Sequence, residues 1–228
     1  MSHSKRLSMT QNDFSAAAED RSRFFWWLSE WFISPPDQEK LGSIPQAGAA
    51  SQPEPADALD AAWRAVSNAA PRTDQISLDP LGVEFTRLLS GVQEGLGPPP
   101  PFESVWREDR LIGESTVAVI DAYARAGFAD IAPEAGPQDH ISAELKFMAM
   151  LALREAEAWQ AEETTAARQR LTQQQDFLAS HLAAWAPCWA EAIVQQTREP
   201  LFAALAELLK AGLDQTEREL SDITQQLR

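Results

Sequence analysis

The sequence predicts an all-α fold, an irregular single-domain bundle of about eight to nine helices broken by a proline-rich loop. Three observations carry this. Apolar residues recur at i, i+3, i+4 and i+7 along most of the chain, the period of one helix face. No stretch alternates apolar and polar residues with the Val, Ile and Thr enrichment of a strand. Prolines and glycines fall at the ends of the periodic segments, where helices start and stop.

Residues 1–12 read as a flexible N-terminus ahead of one helical domain over 13–228. The first helix is expected over 13–33, capped by Asn12 or Asp13. Phe24, Trp27, Leu28 and Trp31 form its apolar face, and Phe25, Trp26 and Phe32 widen that stripe, so its aromatic residues are expected in the core. Residues 34–56, rich in Pro, Gly, Ser, Gln and Ala, read as a mobile linker inside the domain.

A second helix follows from Asp57 to Ala70, with Leu59, Trp63 and Val66 on one face. Asp79-Pro80 opens a third, because a carboxylate suits a helix start and proline has no N–H to waste there. That helix carries Phe85, Leu88 and Leu89 and stops near Gly91. Pro98 to Pro101 cannot be helix and hold an extended polyproline conformation. Helix resumes from Glu114 to Ala126, closed by Gly127. Gly136-Pro137 opens what reads as the longest helix, to Glu162; helices over 166–182, 187–196 and 199–226 follow, with Pro187 and Pro200 as joints.

Composition narrows the function. A formal charge of −15, from 34 acidic and 19 basic side chains, repels phosphate backbones and anionic headgroups, so nucleic acid is a poor ligand. The same field favours encounter with a basic peptide, although solvation alone also accounts for an acidic surface. The strongest apolar run, Phe24 to Ile33, falls well short of the roughly 20 residues that span a bilayer. Membrane insertion is not expected, and the chain reads as cytoplasmic.

No catalytic constellation emerges. His3, His140 and His181 form no i, i+4 pair and no HExxH, and a metal centre is unsupported. Gly91, Gly95 and Gly97 match neither phosphate-loop spacing, and no lysine lies among them. Gly113-Glu114-Ser115-Thr116 reads as a helix cap starting at Glu114 or Ser115. Cys188, beside Trp185, Pro187 and Trp189, reads as a buried thiol. The expectation is a binding protein with no catalytic residues, metal or cofactor.

Three segments are more specific than a helical bundle requires. They are Glu84-Phe85-Thr86-Arg87-Leu88-Leu89 leading to Pro101-Phe102-Glu103-Ser104-Val105-Trp106; Pro137-Gln138-Asp139-His140-Ile141 with Glu144-Leu145-Lys146-Phe147-Met148; and His181-Leu182-Ala183-Ala184-Trp185-Ala186-Pro187. In order and spacing they resemble the motifs of the TorD/DmsD/NarJ family of cytoplasmic chaperones for molybdenum enzymes, the TorD and DmsD branch in particular. The sequence departs from those motifs at Leu89, where Phe is usual, and at Trp106, Gln138 and Lys146.

The resemblance implies a chaperone that binds the twin-arginine leader peptide and apo-form of a molybdopterin oxidoreductase of the dimethyl sulfoxide or trimethylamine N-oxide type. It implies that the client is held for cofactor insertion before export. Such a leader has a cationic start and an apolar core. Leu88, Leu89 and Phe102, with Pro101 and Ser104, would wall a groove, and Glu103, Asp139 and Glu144 would receive guanidinium groups. Plainer readings stand beside these. Leu88 and Leu89 fit a core face, Asp139 suits a helix dipole, His140 suits a structural role, and Asp139 and His140 can instead hold the proline loop in place. Two other classes stand as alternatives, a GTP-dependent enzyme in cofactor delivery and a structural helical subunit. Helix exchange across 34–56 would also permit a swapped homodimer.

Overall fold

The structure, a computed structural model, describes residues 10–45, 55–71, 78–90 and 97–228. His3, Gly91, Gly95 and residues 46–54 of the expected linker therefore lie outside the described residues. The helices are α1 (Gln11–Ile33), α2 (Gln38–Ser43), α3 (Ala58–Ala69), α4 (Asp79–Leu89), α5 (Glu103–Glu108), α6 (Glu114–Arg125), α7 (Ile141–Gln160), α8 (Thr164–Phe177), α9 (Ala183–Gln196) and α10 (Pro200–Gln226). A 3₁₀ turn spans Pro133–Ala135, and a π turn at Leu178–Leu182 joins α8 to α9. The all-α expectation is met; the one β-type pairing among the described residues is a single antiparallel bridge between Phe102 and His140.

The core is organised around α7, which is buried on almost every side because Ile141, Leu145, Phe147, Met148, Leu151 and Trp159 fill several of its faces. α1 and α8 both pack along it. Small residues let the two central backbones approach: Ser142 donates to the Ser29 carbonyl at 2.8 Å and Ser15 to the Ala156 carbonyl at 3.3 Å. α10 closes the bundle against α3 and α9. Among the described residues no helix is long and apolar enough to cross a membrane.

Several local expectations are corrected. Thr10, not Asn12 or Asp13, caps α1, with Asp13 answering as the other half of a capping box. Part of the expected mobile linker is the short helix α2, begun by Asp37. Asp79 lies inside the first turn of α4, behind Leu78 at the cap. Pro137 does not open α7; His140 caps it, and the residues before it fold as a 3₁₀ turn and a reversal at Gly136, φ 87°. The longest helix is α10, not α7.

Pro187 is no joint but sits inside α9. Its missing N–H leaves only the Ala183 carbonyl without its usual partner, at an exposed residue where water can serve. Cys188 is exposed because the period that buries Trp185, Ala186, Trp189 and Ala190 turns it outward. Trp26 is likewise half exposed, on the side of α1 away from Phe25, Leu28 and Phe32, and Lys146 lies over its ring.

One feature of the core was not legible at all. Arg21 of α1 is buried and ion-paired with Glu155 of α7 and Glu219 of α10, while its Nε donates to Gln174 of α8 at 3.3 Å. Gln174 and Trp159 add donors to Glu155 at 2.7 and 3.0 Å. Four helices thus meet on one guanidinium. Removing it strands a carboxylate away from water, so Arg21→Ala should lower the unfolding free energy by about 3–5 kcal/mol, measured by urea denaturation. An unchanged midpoint would contradict this role.

Candidate functional site

The segments singled out in the sequence converge at the N-terminal end of α7. The proline run arrives there by a close approach: a Cβ on Gly97 would sit 2.1 Å from the Arg87 carbonyl, so only glycine lets the chain pass the end of α4. Pro101 to Glu103 then lie antiparallel to Asp139–Ile141. Ile141 N donates to the Pro101 carbonyl and Glu103 N to the Asp139 carbonyl, each at 2.9 Å. Trp106 anchors the run from the other side, its indole N–H reaching the Pro100 carbonyl at 3.1 Å.

Side chains complete the junction. Asp139 accepts from the Ser104 amide at 2.9 Å, satisfying a donor in the first turn of α5. Glu103 is fully buried and meets two side chains: Arg107, one turn along α5, and His181 from the π turn, whose Nδ1 lies 2.8 Å away. Arg107 also donates to the Ser180 carbonyl at 3.0 Å, which ties α5 to the π turn. Glu144, fully buried on α7, accepts from the Trp185 indole at 3.3 Å. Tyr123 of α6 donates to the Gln138 carbonyl at 2.9 Å, and Gln138 in turn accepts from the Ile131 amide.

Three carboxyl groups buried together cannot all carry charge. Burial and the neighbouring Glu103 push Glu144 well above the usual carboxyl range, and Asp139 adds to the effect. Glu144 Oε1 meets no hydrogen-bond partner. Tyr123 is raised well above its ordinary value, mainly by burial and then by the same carboxylates. Burial lowers His140 to about 4, and the neutral ring accepts from the Ser142 amide as the cap of α7.

The sequence-named residues are therefore together, but not as an open groove. Leu88 and Leu89 are buried on the inward stripe of α4, as the plainer core reading of them expects. Pro101, Glu103, Ser104, Asp139, His140 and Glu144 are buried, and Phe102, half-buried with its ring 5.0 Å from that of His140, is the most accessible of the set. The plainer reading, Asp139 and His140 holding the proline loop, describes the contacts observed.

Arg107 and His181 were missed as site residues. His181 stood in a motif, but nothing in the sequence links it to Glu103, 78 residues away. Glu108 was missed too. Its carboxylate caps α6 from outside, accepting from the Glu114 and Ser115 amides at 2.8 and 2.6 Å; the Ser115 side chain first, then these amides, lower it to about 2. Gly113 is the N-cap residue of α6, one position earlier than expected. Among the described residues, no group of three or more His, Cys, Asp or Glu is placed to hold a metal.

The profile of the nitrate reductase delta subunit family matches residues 52–191, more than half of the chain and the whole of the cluster. The chain belongs to that family. Within it, the chain is 24% identical to the chaperone protein TorD of Vibrio cholerae over 217 residues, 91% of this chain and 95% of that one. It is 31% identical to the Tat proofreading chaperone DmsD of Salmonella typhi over 125 residues, 54% of each. A solved structure described as a redox enzyme maturation protein from Archaeoglobus fulgidus superposes with a TM-score of 0.49 at 21% identity, covering 82% of this chain and 91% of that one. Both of these curated relatives are chaperones.

The carboxyl cluster has a pH signature. Glu144 is held protonated, so its contribution is complete below about pH 4.5 and is lost as pH rises through the raised value. Glu144→Gln keeps a neutral group there and should melt higher than the wild type at pH 8, the difference closing towards pH 4.5. A variant that melts lower at every pH would contradict a neutral Glu144. His140 has the opposite sign: its folded value is depressed, so its contribution is present above about pH 6.5 and lost as pH falls towards 4.

Proposed function

We propose that this chain binds the twin-arginine leader and apo-form of a molybdopterin oxidoreductase, of the dimethyl sulfoxide or trimethylamine N-oxide reductase type, and holds it for cofactor insertion before export. One observation carries the reading. The three motif segments, far apart in sequence, meet in a single hydrogen-bonded junction that joins Glu103, Asp139, Glu144 and His181. A fold that needed only a helical core would gain nothing from burying three carboxyl groups at the end of a proline loop.

The relatives point the same way, since they are a TorD chaperone and a Tat proofreading chaperone. The net charge of −15 favours a cationic peptide over an anionic partner. In this reading Phe102, with the half-buried Val105 and Trp106 beside it, meets the apolar core of the leader. Glu103 and Asp139 supply the acceptors for its arginines, and Pro101, Ser104, His140 and Glu144 set their positions. Leu88 and Leu89 back the loop from the core and act on the peptide only through it.

A calorimetric titration with a synthetic twin-arginine leader, beside a twin-lysine peptide of the same sequence, tests this. The expected result is micromolar or tighter binding, on the order of −8 kcal/mol, that weakens when lysine replaces arginine because the planar, forked donors are lost. No binding to leaders from several oxidoreductases of this type would overturn the assignment.

A further inference from the structure

Glu103 is fully enclosed, yet its cation comes from inside the same six-residue helix. The Glu103 side chain is fully buried, whereas that of Arg107 is 42% exposed. Arg107 therefore reaches inward from the surface and closes the opening to the carboxylate with its own guanidinium. Its second bond, to the Ser180 carbonyl, is made at the rim by a group that any other guanidinium can use equally well. Behind this plug three buried polar atoms of the cluster have no partner: Ser104 Oγ, Asp139 Oδ1 and Glu144 Oε1. Ser104 and Asp139 are both fully buried, so unused acceptor capacity lies beside the carboxylate that Arg107 covers.

A cleft of about 400 Å³ lies between α1, α3 and α10, but its acidic Asp20 and Glu219 are answered by Arg23 and Arg21. It offers no unmatched charge. The Glu103 opening differs, because the ligand it fits is defined by the side chain already in it.

We propose that Arg107 is a resident stand-in for a client arginine, holding the Glu103 carboxylate in the free protein and yielding it to a guanidinium from the bound peptide. The inference rests on the leader reading and deepens it, since it names the residue that sets the preference for arginine and tunes affinity. Exchange of one guanidinium for another keeps the buried carboxylate paired throughout, which avoids the cost of baring it. Both Arg107 bonds run from the one Nη1 atom, so the preference over lysine comes from hydration: an ammonium is more strongly hydrated than a guanidinium and costs more to seat against the buried Glu103. In the free protein the internal contact acts as a competitor, and the measured affinity is lowered by the fraction of time that the site is occupied.

The test is a titration of the full chain, wild type and Arg107→Gln, with the twin-arginine leader and its twin-lysine counterpart. Arg107→Gln should bind the arginine leader about five- to tenfold more tightly, with little gain for the lysine peptide. Equal or weaker binding by Arg107→Gln, where the wild type binds, overturns the stand-in and leaves the leader reading intact. Absence of binding to both proteins overturns both. A second measurement needs no leader: the melting temperature of Arg107→Ala in millimolar methylguanidinium. Recovery towards the wild-type value, abolished in Arg107→Ala/Glu103→Gln, supports a site open to an external guanidinium. No recovery overturns it.

Discussion

Removing Glu103, Asp139 and Glu144 from water at one place imposes a constraint that few other parts of the molecule face. Each buried acceptor must find a donor or lose its charge, since an unpaired polar group away from water costs on the order of 1–3 kcal/mol and an unpaired ion more. The donors come from α5, the π turn and α9: the Ser104 amide, Arg107, His181 and the Trp185 indole. Satisfying one small cluster therefore fixes how the proline loop, the start of α7 and the α8–α9 connection sit together. Glu144, held neutral, is the remainder of that balance.

The rest of the bundle supplies a rigid frame for this junction. α7 carries Glu144 at its first turn and is packed against both α1 and α8. The Arg21 network ties α1, α7, α8 and α10 together towards the other end of α7, through Glu155. The π turn is a further device of position. Its wider winding lies at the point where His181 meets Glu103 and Ser180 meets Arg107. π turns of this kind concentrate at functional sites, and here the irregular turn serves the same cluster as the proline loop.

Much of this was legible in the sequence because helical period, caps and prolines act locally. The apolar stripes gave the main helices, Gly127 marked the end of α6 with its left-handed backbone at φ 81°, and Pro200 opened α10. What failed was information carried between helices. Trp26 and Cys188 stand in apolar neighbourhoods, yet each faces outward, because burial is decided by helical phase against neighbours that the sequence does not name. Pro187 looked like a joint because its tolerance inside α9 depends on the exposure of Ala183. The family motifs located the site residues but not their surroundings. That Glu103 is already held by Arg107 and His181 is a fact of tertiary packing, and it changes the picture from an open groove with carboxylates to a closed junction.

The central claim is that the proline loop is locked to α7 through Asp139 and Glu103. Hydrogen exchange at the amides of Glu103, Ser104 and Ile141 measures this most directly, because they donate to the Asp139 carbonyl, the Asp139 side chain and the Pro101 carbonyl. The account predicts strong protection of all three in the free protein, and their joint loss of protection in Asp139→Ala while α10 stays protected. Exchange in the free wild-type protein as fast as in an exposed loop would contradict it.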